Sequence, residues 1–550
     1  MNMDSFIKLY EGSFRKHFEL PALNEYGTNI RYTYGEMAAE IAKLHILFEQ
    51  MGLRKGDKIA LIGKSSCSWC ITYLATVSYG AVIVPVLQDF NPNDVEHIVK
   101  HSESILLFST DSIWETLNPK NLGNLRAVFS LTAFGLLYEK KGDNLKEILN
   151  NLDASFKAKY PVFTKDDIVY PDQAKDELLV LNYTSGTTGF SKGVMIVADN
   201  LLGNMVFAHT ILNLQAGDPM LSFLPLAHTY GSAFEFLYAL MEGCSVTLLG
   251  KTPSPKVLLK AFADVRPALI LSVPLILEKI YKNMILPMLD KPVIKTVLRI
   301  PLLNKLIYAT IRKKLIAAFG GNFVQVIIGG APLNSEVETF MRKIDFPMSV
   351  GYGMTECAPL ISFTLYPNSP VHSCGQVLPQ MQVRIDSEDP YNIVGEIQVK
   401  GQNVMRGYYK NKAATDAVFT EDGWLKTGDM GVIDRNNNVY IRGRSKSMIL
   451  GASGQNIYPE EIEAKLNNLP YILESIVVER SGKLVALVYP DYDAFEAAGI
   501  DESDWSEVMT KNKNTLNSMV ANYEKIADIQ LCAVEFEKTP KKSIKRFLYK

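Results

Sequence analysis

The sequence contains few cysteines, and this shortage excludes a disulfide-stabilised scaffold. Six cysteines are scattered over 550 residues, and only Cys67 and Cys70 stand close together. Such sparse usage fits a reducing compartment rather than a secreted domain. No second Cys or His pair lies nearby to complete a zinc site, and an apolar stretch follows Cys70. We therefore interpret the pair as the structural start of a helix.

Long apolar runs and a targeting segment are missing as well. The first residues, MNMDSF, do not combine a basic segment with an apolar one, so we expect no signal peptide. Apolar runs such as 81–87 fall far short of the ~20 residues that a membrane span needs. The net charge of −2 gives no reason to expect nucleic-acid binding. We expect a cytoplasmic protein that is at most peripheral on the inner membrane surface.

The pattern of apolar residues predicts an α/β fold with more than one domain. Strand-like runs alternate with helical patterns in the first half of the chain, which is typical of parallel sheets. After about Gly375, alternating segments such as 382–385 and 395–399 predict antiparallel β structure. We interpret this region, about 375–441, as a small β-barrel. A further αβ pattern follows. We predict a large N-terminal domain over 1–441 and a small α+β domain over 442–550.

The segment YTSGTTGFSKG, residues 183–193, is rich in glycine and hydroxyl side chains. Apolar runs flank it on both sides, so it is predicted to be a loop between two strands. Glycines let backbone amides converge on one point. Together with hydroxyl groups and Lys192, such amides suit a polyphosphate. The spacing matches neither the P-loop pattern nor Gly-x-Gly-x-x-Gly, and composition alone leaves an ordinary polar turn equally open.

Four further clusters follow in a fixed order: GGAPL at 329–333, GYGMTE at 351–356, DGWLKTGD at 422–429 and RGRSK at 442–446. Any one of them alone is a weak signal. Together they resemble the adenylate-forming superfamily of acyl-CoA synthetases, peptide-synthetase adenylation domains and beetle luciferases, over nearly the whole chain. The branch that looks most similar is that of AMP-forming medium- or long-chain fatty acid–CoA ligases. The resemblance implies activation of an acid by ATP and Mg²⁺, followed by transfer to CoA.

The resemblance also implies roles for individual residues. The loop would hold the β- and γ-phosphates through Thr184, Ser185, Gly186, Thr187, Thr188 and Lys192. The adenine would lie between Tyr352 and a face formed by Gly330, Ala331 and Pro332, beside Gly353. Thr355 would contact the α-phosphate and Glu356 would bind Mg²⁺. The ribose would meet Asp429 and Arg444.

The acid is expected near the segment PLAHTYG, residues 225–231, with His228 beside the reacting carboxylate. Gly231, Phe234 and Glu235 would follow on a helix that lines the acyl tunnel. The resemblance implies that the small domain swings about Lys446. It also implies that Gly451, Gly454 and Gln455 face the CoA tunnel in the second half-reaction.

The chain departs from the family near its C-terminus. Aligned on Thr539, the family's adenylation lysine falls on Ser543, and Lys545-Arg546 match the basic pair that follows it. A serine cannot neutralise charge on the α-phosphate. We hypothesise that the adjacent Lys542 supplies the cation as a catalytic residue, with Lys541 as the second candidate.

Residues 282–314 carry eight basic residues and one acidic residue, Asp290, interleaved with Leu, Ile and Val. Such a segment either packs as a solvated helical face or makes weak peripheral contact with an anionic membrane.

Three functions stay open at this point. The first is an ATP-dependent ligase that joins an acid to CoA. The second is an acyl or aryl adenylating enzyme whose acceptor is a carrier-protein phosphopantetheine or a hydroxyl group. The third is a catalytically impaired protein that only binds a nucleotide or an acyl group. The identity of the acid is not determined by the sequence.

Overall fold

The computed structural model describes residues 4–184, 191–301, 303–450, 455–539 and 543–549. The predicted division into strands and helices is present from the N-terminus onwards. The elements up to residue 197 are α1 (Phe6–Lys16), β1 (Pro21–Glu25), β2 (Arg31–Thr33), α2 (Tyr34–Gln50), β3 (Lys58–Ile62), α3 (Cys67–Tyr79), β4 (Val82–Val86), α4 (Pro92–Ser102), β5 (Ser104–Ser109), α5 (Asp111–Trp114), β6 (Ala127–Ser130), β7 (Leu136–Glu139), α6 (Leu145–Lys159), β8 (Leu178–Thr184) and β9 (Lys192–Val197).

The middle of the chain continues with helices and short strands. They are α7 (Ala198–Ile211), β10 (Pro219–Ser222), α8 (Thr229–Gly231), α9 (Tyr238–Met241), β11 (Ser245–Leu248), α10 (Pro255–Val265), β12 (Ile270–Ser272), α11 (Pro274–Ile280), α12 (Leu286–Leu289), α13 (Pro292–Leu298), α14 (Leu303–Ala318), β13 (Val326–Ile328), α15 (Ser335–Lys343), β14 (Met348–Val350), β15 (Tyr352–Gly353) and β16 (Leu360–Ser362).

The last third is richer in antiparallel strands. Its elements are β17 (Met381–Asp386), β18 (Gly395–Gly401), α16 (Lys412–Val418), β19 (Leu425–Ile433), β20 (Val439–Arg444), β21 (Ile449–Leu450), β22 (Asn456–Ile457), α17 (Pro459–Leu466), β23 (Ile472–Arg480), β24 (Lys483–Pro490), α18 (Tyr492–Ala498), α19 (Trp505–Met519) and β25 (Asp528–Leu531).

The largest sheet has seven strands in the order β7-β6-β5-β3-β4-β8-β9. Its central strands are parallel, because helices cross over between them, whereas β8 and β9 pair antiparallel at one edge. The strands β3 and β4 are almost entirely buried, as expected for parallel strands with both faces covered. A second sheet, β10-β11-β1-β2, and a parallel sheet, β12-β13-β14, complete the parallel-rich part.

The local signals for helix boundaries explain several of these elements. The side chain of Ser66 accepts a hydrogen bond from the backbone N–H of Trp69 and begins α3. Gly80 ends the same helix with a positive φ of 89°, a conformation in which glycine carries little strain. Cys67 and Cys70 are buried free thiols on this helix, and burial raises the pKa of both. The structural interpretation of this pair is confirmed.

The predicted barrel region forms the antiparallel sheet β17-β18-β19-β20. In the described residues its first and last strands do not pair with each other. The predicted domain division at 441/442 falls inside β20, which pairs with β19 as far as Arg444. One hydrophobic core draws its residues from 6–441, and two smaller cores draw theirs from 449–549.

The helices of the described residues are either too short or too polar for a membrane span. The longest, α2, has 17 residues.

Candidate active site

A cavity of about 920 Å³ lies where most of the predicted clusters meet. Its walls come from the β8–β9 edge, the segment after β14, the sheet β17–β20, and the C-terminal residues Thr539 and 543–547. Ten of the predicted site residues line it: Thr184, Lys192, His228, Gly330, Tyr352, Gly353, Thr355, Glu356, Arg444 and Lys446. The fold therefore gathers residues that are more than 250 positions apart in the sequence into one space.

The β8–β9 edge places a hydroxyl group and a cation side by side. Thr184 ends β8, Lys192 begins β9, and the two residues are direct partners across the antiparallel pair. The predicted strand, loop and strand are thus confirmed at their flanks. The loop residues Ser185, Gly186, Thr187 and Thr188 lie outside the described residues.

Glu356 meets the same edge through a tyrosine. The hydroxyl of Tyr408 donates to Oε1 of Glu356 at 2.9 Å, and Nζ of Lys192 lies 4.9 Å from the centroid of the Tyr408 ring. Burial, with the neighbouring Glu356 charge, raises the pKa of the Tyr408 hydroxyl well above its ordinary range. Tyr408 is therefore a neutral donor that contacts the predicted metal ligand and the predicted phosphate ligand.

A second linked group surrounds Asp429. Its Oδ2 accepts a hydrogen bond from the hydroxyl of Tyr352 at 2.8 Å, and its Oδ1 lies 2.8 Å from Nε of Arg444. Burial raises the pKa of the Asp429 carboxyl, and the Arg444 guanidinium opposes that rise. Tyr352 and Arg444 line the cavity, whereas Asp429 lies behind them.

The predicted adenine face is only partly at the cavity. Gly330 lines it and has a positive φ of 84°, so the chain turns there in a conformation that favours glycine. Ala331 and Pro332 follow this turn, are exposed, and are not among the cavity-lining residues. The contact of Ala331 and Pro332 with adenine, implied by the resemblance, therefore stays a prediction.

The segment around His228 forms an apolar wall. Nδ1 of His228 accepts a hydrogen bond from the backbone N–H of Tyr230 at 3.3 Å. The hydroxyl of Tyr230 donates to the carbonyl of Ile327 at 3.0 Å, and its ring packs against Gly329. Apolar side chains complete this wall: Phe207, Ile211, Leu212, Phe234, Leu271 and Phe363.

Glu235 follows Phe234 on this wall but does not line the cavity. It is fully buried. Its Oε2 accepts hydrogen bonds from the Ser222 hydroxyl at 2.9 Å and from the Leu224 backbone N–H at 3.0 Å. Its Oε1 is buried without a hydrogen-bond partner in the described residues. Burial raises the pKa of Glu235 to about 8, which favours the protonated carboxyl.

The C-terminal wall contains the position where the family's lysine is replaced. Ser543 and Lys545 line the cavity. Nζ of Lys545 lies 3.3 Å from a carboxylate oxygen of Glu537, and the guanidinium of Arg546 forms two hydrogen bonds with the buried carboxylate of Glu463. Lys541 and Lys542, the two candidates for the missing cation, lie outside the described residues.

Of the residues predicted for the hinge and for CoA, one lines the cavity, one does not, and two lie outside the described residues. Lys446 lines the cavity, two residues after the end of β20. Gln455 is exposed and is not a lining residue. Gly451 and Gly454 lie outside the described residues.

The polar residues of the cavity fit a magnesium–nucleotide pair. No group of three or more His, Cys, Asp or Glu side chains in the described residues could hold a metal ion alone. Mg²⁺ commonly binds one or two carboxylates together with waters and substrate phosphates. Glu356 offers such a carboxylate, and its bond from Tyr408 leaves acceptor positions for a metal. The nearby Lys192 ammonium suits the phosphates.

Sequence reasoning missed Tyr408 and Tyr230. Gly407-Tyr408-Tyr409 reads as an ordinary turn, and nothing in the sequence places it beside Lys192, which is 216 positions away. Tyr230 lies within the segment 225–231, in which we assigned a role near the carboxylate to His228 alone. A tyrosine between a glycine and a second aromatic residue, close to a charged cluster, is a weak signal at best.

Known proteins resemble this chain in sequence over most of its length. The pattern of the family described as AMP-binding enzyme matches residues 11–409. The chain is 28% identical over 564 residues to the long-chain-fatty-acid–CoA ligase FadD15 of Mycobacterium bovis, covering 94% of this chain and 89% of the relative. It is 26% identical over 575 residues to the long-chain-fatty-acid–[acyl-carrier-protein] ligase AEE15 of Arabidopsis thaliana, covering 89% and 75%.

Solved structures share the fold. ATP-bound MatB from Rhodopseudomonas palustris superposes with a TM-score of 0.75 at 23% identity, covering 99% of this chain and 98% of that one. The o-succinylbenzoate CoA synthetase MenE from Bacillus subtilis, in complex with ATP and magnesium ion, gives 0.73 at 20% identity, covering 98% of each. The predicted α/β architecture is confirmed.

Proposed function

The chain belongs to the AMP-binding enzyme family, and from this premise we propose that it is an AMP-forming acid–CoA ligase. A carboxylate oxygen of the acid bonds to the α-phosphorus of ATP, the bond to the β-phosphate breaks, and pyrophosphate leaves. The sulfur of CoA then bonds to the acyl carbon, AMP leaves, and the thiol proton is released. The observation that carries this proposal is the shared cavity, which joins polar nucleotide-type residues to an apolar wall.

The β8–β9 edge and Glu356 form the proposed phosphate end. Thr184 and Lys192 bind phosphate oxygens, and the loop residues Ser185, Gly186, Thr187 and Thr188 remain part of this proposal. Thr355 contacts the α-phosphate. Bound Mg²⁺ stabilises the negative charge of the phosphates, and Glu356 is the residue that we propose as its ligand.

The nucleoside end is proposed around Tyr352. Its ring faces the cavity and is held by the bond to Asp429. A flat, fixed ring suits stacking on adenine. Gly353 is proposed to lie beside the adenine and Gly330 opposite the ring. Ala331 and Pro332, although exposed, remain proposed contacts of the adenine. Asp429 and Arg444, already paired with each other, are the proposed partners of the ribose hydroxyls.

The acid is proposed to be a medium- or long-chain fatty acid. The wall that contains Phe207, Ile211 and Phe234 presents apolar surface, which suits an aliphatic chain. The name of the FadD15 relative supports the same substrate class. His228, at the border between this wall and the polar residues, is proposed to lie beside the reacting carboxylate.

The small C-terminal part is proposed to move between the two half-reactions. Thr539 and residues 543–547 of this part line the cavity in this structure, which suits the adenylation step. Lys446 is the proposed hinge. We place the division between the parts in the turn at 445–448, after β20 ends, rather than at 441/442. After the swing, Gly451, Gly454 and Gln455 are proposed to face the CoA tunnel.

The acceptor has a second candidate. The name of the AEE15 relative supports a carrier protein as acceptor, whereas the name of FadD15 supports CoA. We favour CoA. An assay of thioester formation separates the two: the purified protein receives ATP, Mg²⁺ and one fatty acid, with either CoA or a phosphopantetheinylated carrier protein.

The acid is tested by AMP release with a panel of acids in the presence of CoA. We expect the highest kcat/KM for medium- or long-chain fatty acids, and lower values for aryl, amino and short-chain acids. A preference for an aryl acid would replace the proposed substrate class. A protein that binds ATP but releases no AMP with any acid would support the impaired binding protein instead.

We also propose weak peripheral contact with an anionic membrane through the basic segment 282–314. Val293, Leu306 and Met284 expose 72%, 64% and 57% of their surface in this segment. Exposed basic residues interleave with them: Lys291, Lys295, Arg299, Lys305, Lys313 and Lys314. Each basic residue near an anionic lipid surface contributes about 1 kcal/mol. Lys282 does not take part, because its ammonium donates to the backbone carbonyls of Asn467 and Ile472.

This contact is tested by co-sedimentation with phosphatidylglycerol and phosphatidylcholine vesicles at low salt. We expect binding to phosphatidylglycerol only, and its loss in Lys291→Glu/Arg299→Glu and in Val293→Asp/Leu306→Asp. Val162→Asp is the control, because Val162 is 76% exposed outside the segment. No sedimentation of the unmodified protein, or equal binding to both lipids, would end the proposal.

A further inference from the structure

Tyr408 stands between two oppositely charged side chains of the cavity. Its ring lies under the Lys192 ammonium, with 4.9 Å from Nζ to the ring centroid. Its hydroxyl donates to Oε1 of Glu356 at 2.9 Å. The described residues contain no ion pair between Lys192 and Glu356 themselves. One aromatic side chain therefore contacts both charges and separates them.

The backbone fixes Tyr408 relative to both partners. The neighbouring residues Gly407 and Tyr409 form hydrogen bonds with the backbone of β9, the strand that begins at Lys192: the Met195 N–H donates to the Gly407 carbonyl at 3.0 Å, and the Tyr409 N–H donates to the Gly193 carbonyl at 2.8 Å. On the other side, the Met405 N–H donates to the Glu356 carbonyl at 2.8 Å. The three side chains thus project from segments that are hydrogen-bonded to one another.

Separation of these charges has a physical consequence. Lysine and glutamate in direct contact would largely neutralise each other, and a ligand would have to break their ion pair before it could bind. An aromatic ring attracts the ammonium through its face without neutralising it. A phenol hydroxyl orients a carboxylate without contributing a positive charge. Both charges stay available for a ligand that is itself charged.

We propose that Tyr408 is a positioning residue that holds Lys192 and Glu356 apart and in place before magnesium–ATP binds. The inference rests on the proposed function, because it assigns Lys192 to the phosphates and Glu356 to the metal. The ring serves the phosphate contact and the hydroxyl serves the metal contact. These two parts of one side chain can be removed separately, which makes the inference testable in detail.

The test uses three variants of the full-length protein. Tyr408→Phe removes the hydroxyl and keeps the ring, Tyr408→Leu removes both, and Tyr409→Phe is the matched control. The Tyr409 hydroxyl donates to Glu103 at 3.1 Å, and Tyr409 is not a lining residue of the cavity. Isothermal titration measures the dissociation constant of ATP twice, with Mg²⁺ and with EDTA.

We expect Tyr408→Phe to weaken binding about tenfold with Mg²⁺, the loss typical when a hydrogen-bond partner of a metal ligand is removed. With EDTA the same variant should bind free ATP like the unmodified protein. Tyr408→Leu should weaken binding in both buffers, because Lys192 loses the ring. Tyr409→Phe should match the unmodified protein in both. Thermal unfolding of each variant shows that the fold is retained.

Two results would overturn the inference. In the first, the Tyr408→Phe variant binds magnesium–ATP as tightly as the unmodified protein does. In the second, the substitution weakens ATP binding by the same factor with and without Mg²⁺. Failure of the proposed function gives a different pattern, because the unmodified protein would then bind no ATP in either buffer. That pattern would refute the premise as well as the inference.

Discussion

The wall of the cavity that precedes residue 445 differs from the wall formed by Thr539 and residues 543–547 in how its charges are held. In the first wall, Lys192 and Glu356 are linked through Tyr408, and Arg444 is paired with Asp429. These partners come from separate sequence segments that share one hydrophobic core. In the second wall, the partners of the charged residues belong to the C-terminal part itself.

This arrangement supports the proposal that the second wall moves as a unit. Lys545 is paired with Glu537, and Arg546 with Glu463, so both ion pairs persist if the C-terminal part moves. Among the described residues, its polar contacts with the large part lie at three places. Asn334 donates to the Ala464 carbonyl at 2.6 Å and pairs with the amide of Asn468, which also donates to Glu336 at 2.8 Å. Lys282 donates to two carbonyls, and Arg442 lies 3.7 Å from a carboxylate oxygen of Glu461. The charges of the first wall are therefore held by partners in the large part, whereas Lys545 and Arg546 of the second wall are held by partners in the C-terminal part.

The largest expected effect breaks the first wall at its metal position. Glu356→Gln replaces the carboxylate by a neutral amide, which binds Mg²⁺ more weakly. We expect acyl-adenylate formation to fall by about 10²-fold or more, the typical cost of losing preorganised charge stabilisation. Single-turnover quench measurements report the rate, and circular dichroism shows whether the fold is intact. A folded variant with an unchanged rate would refute the role of Glu356.

The next prediction concerns the cation of the second wall. Lys542→Ala should slow acyl-adenylate formation by about 10²-fold and leave thioester formation from preformed acyl-adenylate nearly unchanged. Lys541→Ala and Lys545→Ala serve as matched comparisons, and Lys545 is already paired with Glu537. If one of these two loses adenylation instead, the role passes to that residue. If none of the three matters, this segment does not supply the cation.

The residues Lys192, Glu356 and Tyr408 show what the sequence could and could not predict. Lys192 and Glu356, which line the cavity, were predicted from motifs because each lies in a short cluster of distinctive residue types. Tyr408 was not, because its partners are set by pairing of its segment with β9, which no local pattern encodes. The same limit applies to Ala331 and Pro332: the motif does not encode the positive φ of Gly330 before them or their exposure, and their contact with adenine stays a prediction.

Larger features were predictable for a related reason. Strands such as β3, β4 and β8 lie within continuous apolar runs that only a buried element can satisfy. The extent of β20 was not predicted, because its last residues, Gly443 and Arg444, are neither apolar nor β-branched. Their place in the sheet comes from pairing with Met430 and Asp429.

A pH-dependent prediction sharpens the account of the first wall. Because the pKa of Glu235 is raised to about 8 in the folded protein from an ordinary value of 4.5, the folded state retains a proton that the unfolded state loses. The contribution of this carboxyl to stability is therefore full below about pH 4.5 and is lost as the pH rises towards 8. The free energy of unfolding contributed by this carboxyl falls by at most about 1.4 kcal/mol per pH unit.

Glu235→Gln keeps the shape of the side chain and removes its titration. Thermal unfolding from pH 5 to pH 8 should show the variant gaining stability relative to the unmodified protein as the pH rises. A difference in stability that does not change over this range would show that Glu235 is ionised in the folded state.

The smallest expected effect comes from removing a contact between the large part and the C-terminal part, outside the cavity. Lys282→Met removes the hydrogen bonds to the carbonyls of Asn467 and Ile472. We expect the contact to stabilise the position of the C-terminal part proposed for adenylation by about 1 kcal/mol. Its removal should then lower the adenylation rate about fivefold. Lys279→Met is the control, because Lys279 is exposed on the same helical segment. A larger decrease in thioester formation than in adenylation would contradict this assignment.

The exchange of labelled pyrophosphate into ATP, measured without CoA, tests the central claim most directly. The account predicts that exchange depends on both Mg²⁺ and a medium- or long-chain fatty acid, because the acyl-adenylate forms reversibly in the cavity before the thiol arrives. Exchange should be absent when the acid is omitted. A protein that binds ATP but catalyses no exchange with any carboxylic acid would contradict the account.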